Sequence, residues 1–487
     1  MALPSKTEQV SIISMRPLSL KEVENLAEVN SPFLKEIASR VDQAESALRV
    51  QLAEWYPKLG ITAEVPAFTG GQQAFNDVDP NTPLAGIFTT GTTRWSMSST
   101  LSAQWDVVNP RRVPQVSAAR DLFEKAKNQY LIALRDLRLQ VAQAYFGVQL
   151  FDERVRINQR AIGASLISLR DARARFQAGV ATRLEVLQAE TQLERDRQRM
   201  SDSLRDQSVS RRDLSRLINL PQNITPTAKE PLRVIGLWKP SLQESVIAAY
   251  TFREELDNII LDISASNSQA NSSLAAVQPF LTIANNLFAT RYTGSQAVVV
   301  NLPGSLGYAV ENSVGLNLRW SLFDGGAARA QYRQFKQKAV ETEFSFSRER
   351  DRLRFEVEES FYKLGSSNRN IVTTAKEVLA AREGLRLARL RFQAGVTTQR
   401  EVVEQQRDLT SAEYTYAQSL VEYNNFLTEL RRRTGLDQVA ECRGVQLSAI
   451  KPAQMDNETV PIPPTPTPTA CPTVPVSVSN AGIQPAS

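Results

Sequence analysis

The chain has 487 residues, of which 42% are hydrophobic and 22% charged, with 57 basic and 52 acidic side chains and a formal net charge of +5. This composition excludes a disordered chain, and the mixed charges read as solvated helix faces rather than a nucleic-acid-binding stripe. With no histidine and only Cys442 and Cys471, the chain lacks the commonest general base and a metal-ligand set, so no catalytic residue, cofactor or metal is expected.

Residues 1–18 read as an N-terminal segment without the apolar core of a secretory signal, because Lys6, Glu8 and Arg16 interrupt it. No run of 18 apolar residues occurs, so no transmembrane helix is expected. Membrane strands of about 10 alternating residues would escape that criterion. The first repeat, 19–220, opens on a helix and continues into short strands. Leu59, Ile61, Ala63 and Val65 alternate with polar neighbours. From Trp95 to Val107 the alternation is clean: Trp95, Met97, Leu101, Ala103, Trp105 and Val107 share one face. No proline lies between Pro114 and Pro221, and Val113 to Gln177 reads as one helix about 100 Å long. Leu134, Val141, Val148, Val155, Ile162, Leu169 and Phe176 are seven residues apart, the period of helices supercoiling on neighbours. Gly179 suits the left-handed position after a helix, and Thr182 to Glu185 reads as a capping box that restarts one.

A linker at 221–240 leads to a second repeat, 241–434. Ala388 to Val402, ARLRFQAGVTTQREV, matches Ala172 to Val186, ARARFQAGVATRLEV, at 11 of 15 positions with an offset of 216. Ser241-Leu242 and Pro279 answer Ser19-Leu20 and Pro57 at an offset of 222, and Trp320 answers Trp105 at 215. Leu281-Ile283 and Val310 to Leu322 are the second pair of strands. Val357, Leu364, Ile371, Val378, Leu385 and Phe392 repeat the heptad. Gly395 and Thr398 to Glu401 repeat the turn and capping box. Stretches 66–94 and 288–309 show no readable pattern and are expected to be loops. Residues 435–451 follow, and then 452–487, with nine prolines in 36 residues, a linker-like tail. Cys442 and Cys471 are as compatible with a disulfide as with two thiols.

Four strands cannot close a barrel, and open edges are not tolerated in lipid, so the strands require more than one copy of the chain. The alternative is a soluble long coiled-coil scaffold, which the alternating strands disfavour. The order helix, strands, long helix, RFQAGV tip and return helix, made twice, resembles the outer-membrane efflux protein family typified by TolC. PLSLKEVENLAEVNSPFL at Pro17 to Leu34, VAQAYF at Val141 to Phe146 and WSLFDGG at Trp320 to Gly326 support the likeness, which spans about Ser19 to Leu436.

The resemblance implies a mainly α fold with membrane β: helical hairpins forming an α-barrel, and four strands per chain contributed to a trimeric 12-strand β-barrel. It implies a passive duct with a periplasmic tunnel and no enzymatic activity. The partners would be two further copies, outer-membrane lipid, a periplasmic adaptor and an inner-membrane RND or ABC transporter, but no nucleic acid. The gate positions carry over to Glu401 and Glu404, with Glu185 and Gln188 on the first tip. The adaptor-docking tips would be Phe176, Gly179, Val180 and Thr182, and Phe392, Gly395, Val396 and Thr398. Phe392 and Thr397 stand where the family's Tyr and Arg latch would be. Trp95, Trp105 and Trp320 read as a membrane-interface belt. Without a cysteine near the start, no lipid anchor is expected.

Overall fold

The computed structural model describes residues 14–76, 87–221, 223–295 and 305–437. The proline-rich tail and both cysteines lie outside the described residues, as does Val298 to Val300. In chain order the elements are β1 (Ser14–Leu18), α1 (Leu20–Asn30), α2 (Pro32–Ala53), β2 (Lys58–Asn76), β3 (Ile87–Val108), α3 (Arg112–Gln177), α4 (Arg183–Leu217), β4 (Ile224–Ala228), α5 (Leu242–Phe252), α6 (Glu254–Leu274), β5 (Phe280–Ser295), β6 (Ser305–Arg319), α7 (Ala327–Gln393) and α8 (Gln399–Thr434). Contacts divide the chain into two compact units. One comprises Met1–Arg40, Lys127–Asn258 and Ser345–Ser487; the other comprises Val41–Ala126 and Ile259–Phe344.

The first unit is helical. Ser19 and Ser241 each close a capping box, with Glu22 and Glu244 reaching back to the serine backbone N–H at 2.7 Å. The single helix expected at the start of each repeat is instead two. Ser31 caps α2 with Pro32 at its first position, where a missing N–H costs nothing, and Arg253 ends α5. The heptad residues do face a core: Val141, Val148, Val155 and Leu169 in α3 and Val357, Leu364, Val378 and Leu385 in α7 are buried. Leu18, Val23, Ala27 and Leu34 pack with Val141, Tyr145, Leu214 and Ile218 in one cluster. Burying each such side chain stabilises by about 1.5–3 kcal/mol. Part of the expected N-terminal segment is a strand, since β1 pairs in parallel with β4 inside the expected linker.

The second unit holds a four-stranded antiparallel sheet in the order β2-β3-β5-β6. It corrects the reading of 66–94 and 288–309 as loops. These stretches are largely strand, with β2 reaching Asn76, β3 starting at Ile87, β5 reaching Ser295 and β6 starting at Ser305. The pattern was unreadable because Pro66 sits where the β2–β3 register shifts, and the strands run on through glycine, threonine and glutamine with few apolar residues. Strand β6 ends at Arg319, so Trp320 and Leu322 lie just past it rather than within it. Leu59, Ile61, Trp95, Met97, Leu101, Val314, Leu316 and Leu318 are exposed. Among the described residues no helix is long and apolar enough to cross a membrane.

Candidate functional site

The hairpin tips are built alike. At each, an α-helix ends on a glycine in the left-handed region, Gly179 at φ 74° and Gly395 at φ 73°. Gly179 N–H donates to Phe176 O and Val180 N–H to Arg175 O, both at 3.0 Å; Gly395 and Val396 repeat this with Phe392 O at 3.0 Å and Arg391 O at 2.9 Å. These pairs satisfy carbonyls that the helix end leaves open. Val180 and Val396 project into solvent beyond the turn.

Past the turns the tips differ. Thr182 accepts the Glu185 N–H, and Glu185 accepts from Thr182 in return, the capping box read from the sequence. Thr398 makes no such bond, so the second capping box is not formed. Glu401 is drawn away instead: Arg391 Nη1 donates to it at 2.7 Å, and the Thr397 hydroxyl donates to its other oxygen. Glu404 is exposed and pairs with Arg400 at 2.8 Å, and Gln188 is half-buried. Each acid of the second tip therefore has an arginine beside it.

The phenylalanines part company as well. Phe392 is 6% exposed and packs with Leu385, Ala388 and Val402. Phe176, expected to complete a heptad core, is 46% exposed, because nothing among the described residues covers that flank. Arg175 joins the two tips. Its guanidinium lies 4.4 Å from the centre of the Phe392 ring, and its Nη1 donates to Phe392 O at 2.7 Å. Gln399 also reaches Ser168 across the same seam. Sequence reasoning missed Arg175, Arg391 and Arg400. The first two were visible as the repeated Arg-Phe pair of RFQAGV, but a charge preceding a turn does not say which ring it will cover.

On the sheet, Trp105 Nε1 donates to Trp55 O and Trp320 Nε1 to Val277 O, each at 3.1 Å. Both carbonyls lie three residues ahead of a first strand, β2 or β5. Trp95 packs on Phe68 with ring centres 5.0 Å apart. Among the described residues no cluster of acidic, cysteine or histidine side chains could hold a metal ion.

Residues 23–220 and 251–436, well over half of the chain, match the family model described as outer membrane efflux protein. Nodulation protein T of Rhizobium leguminosarum bv. trifolii is 21% identical over 290 residues, 58% of this chain and 59% of that protein. The chain thus matches less than two-thirds of that relative's length. Among solved structures, the outer-membrane channel OprN superposes with a TM-score of 0.70 at 19% identity, over 85% of this chain and 89% of its own. A membrane protein from Pseudomonas aeruginosa gives 0.69 at 18% identity, over 85% and 93%. CusC, studied for conformational changes accompanying folding and transmembrane channel formation, gives 0.68 at 17% identity, over 89% and 95%. At these identities the likeness is one of fold.

Proposed function

Because this chain belongs to the outer membrane efflux protein family, we propose that three copies assemble into one export duct, each contributing four strands to a 12-strand barrel and two hairpins to a periplasmic tunnel. The family places the chain in the outer membrane as a channel protein, not an enzyme. The observation that carries assembly from several copies is the four-stranded sheet. It presents exposed leucine, valine and tryptophan side chains and leaves β2 and β6 as edges with no partner strand among the described residues. In lipid such edges must pair with another copy.

The two halves are read as a duplication, 19–220 and 241–434, joined by 221–240. Trp105 and Trp320 support it, since matched tryptophans make the same bond to matched carbonyls. Trp95 lies ten residues along β3 from Trp105, about 33 Å at strand rise. Tilted by about 40°, that separation becomes about 25 Å, the height of an apolar band between two aromatic girdles.

The tips, Phe176 to Thr182 and Phe392 to Thr398, are the docking ends for a periplasmic adaptor, which recruits an inner-membrane RND or ABC pump. The export of small molecules or proteins then draws its energy from that pump. Glu401 and Glu404, with Glu185 and Gln188, line the entrance. Acidic side chains crowded in a pore favour cations. The reconstituted channel should be cation-selective and blocked by multivalent cations from the periplasmic side. Replacing Glu401 and Glu404 with Gln should weaken both properties. Unchanged selectivity and block in the double variant would remove these residues from the entrance.

A further inference from the structure

We infer that Arg391 covers Phe176 of the partner subunit, clasping neighbouring chains at the tips and releasing Glu401 to cap its own helix. This rests on the proposed trimer. The starting point is that the two hairpins are equivalent bodies. Asn158 bonds Ser203 in the first, and Thr374 bonds Ser419 at 3.0 Å in the second, both partners displaced by the same offset of 216.

Within one chain the hairpins meet along a single seam, fastened at the tip by Arg175 over Phe392. Higher up it is fastened by Arg407 Nε donating to Gln192 at 2.8 Å and by Tyr414 donating to Asn158. Applying the offset to both members of the tip contact turns Arg175 into Arg391 and Phe392 into Phe176. These two residues occupy the opposite flanks of the two hairpins. In a closed ring those flanks face the next copy.

Exposure follows the same logic. Phe392, Val403 and Phe146 are buried, whereas their counterparts Phe176, Leu187 and Tyr362 are exposed. The outer flanks thus carry apolar side chains at positions whose equivalents the in-chain seam covers. The in-chain ion pair Arg160–Glu413, at 3.3 Å, has no such equivalent: its counterparts Lys376 and Arg197 are both cationic. The seam between chains cannot use that pair, whereas the offset preserves both members of the arginine–aromatic contact.

A second observation points the same way. The sequences that should cap α4 and α8 are nearly the same, yet only Thr182 caps. At the first tip Arg175 is occupied by a ring, and Glu185 is free for its cap. At the second tip Arg391 covers no ring among the described residues and pairs with Glu401 at 2.7 Å. Supplying Phe176 from the partner subunit gives Arg391 the role that Arg175 already has, and returns Glu401 to Thr398.

The test uses the full-length protein with Cys442 and Cys471 replaced by Ser. Phe176→Cys combined with Arg391→Cys, treated with a short bis-maleimide, should give covalent dimers and trimers on denaturing gels. Arg175→Cys with Phe392→Cys should link only within one chain. In bilayers, Phe176→Leu and Arg391→Gln should each raise the resting conductance several-fold, and the double variant should rise no further. Native mass spectrometry on the same samples separates the two ways of failing. A trimer with no link between chains, or with additive conductance effects, overturns the clasp and leaves the trimer standing. A folded monomer overturns the trimer reading, and the clasp with it.

Discussion

Glu255 shows how much charge the first unit buries. It accepts from Arg253 at 2.7 Å and from Arg432 at 2.9 Å, and Arg135 nearby reaches Glu254 and Asp437. Arg135, Arg253 and Arg432 are nearly inaccessible. Burial alone would raise the Glu255 carboxyl, but the hydrogen bond and charge of Arg253, joined by Arg432, outweigh it and hold the group well below the usual carboxylate range. A folded value below the unfolded one, about 4.3, means the stabilisation is complete above that pH and is lost as pH falls through the folded value. Removing one member of a buried pair costs about 3–5 kcal/mol, since its partners stay buried and charged. Glu255→Gln should lower the thermal unfolding temperature at pH 7 in detergent and flatten the decline below about pH 4. A variant with the parent's temperature and the parent's acid limb would show that the network contributes nothing net. Nothing in the sequence marked this cluster. Its members come from α3, the α5–α6 junction and the end of α8, and only tertiary packing brings them together.

At the scale of the element, the helices were legible because their signals are local. A stretch free of proline beyond Pro114, with a seven-residue apolar period, gave α3 within one residue of its start, and RFQAGV marked both turns. The strands were legible only where one face is apolar; past Val65 and before Trp95, glycine and threonine carry the backbone without alternation. The failed capping box at Thr398 has the same origin, since a competing arginine was not part of the pattern. The turns themselves give a direct prediction. An added Cβ at Gly179 or Gly395 would meet nothing within 4 Å, so the cost of a side chain there is conformational alone. A left-handed residue with a Cβ costs about 1–2 kcal/mol, and β-branching adds to it. Gly395→Val should reduce export while assembly and membrane insertion survive. Full export from a chain carrying both Gly179→Val and Gly395→Val would show that the tips do not dock the adaptor.

For the whole molecule, the account turns on one physical argument. A sheet with an exposed apolar face and two open edges is stable in lipid only when other copies close it. The same closure would place uncovered hairpin flanks against neighbouring chains, where Phe176 and Tyr362 would find the cover their counterparts already have. Tunnel and gate both require the trimer, so the account rests first on the number of chains in the folded particle. Native mass spectrometry of the protein extracted in mild detergent measures that number directly. The account predicts a particle of three chains, with strand signal in circular dichroism that is lost when the assembly is dissociated. A stable, folded single chain retaining its strands in detergent would contradict it.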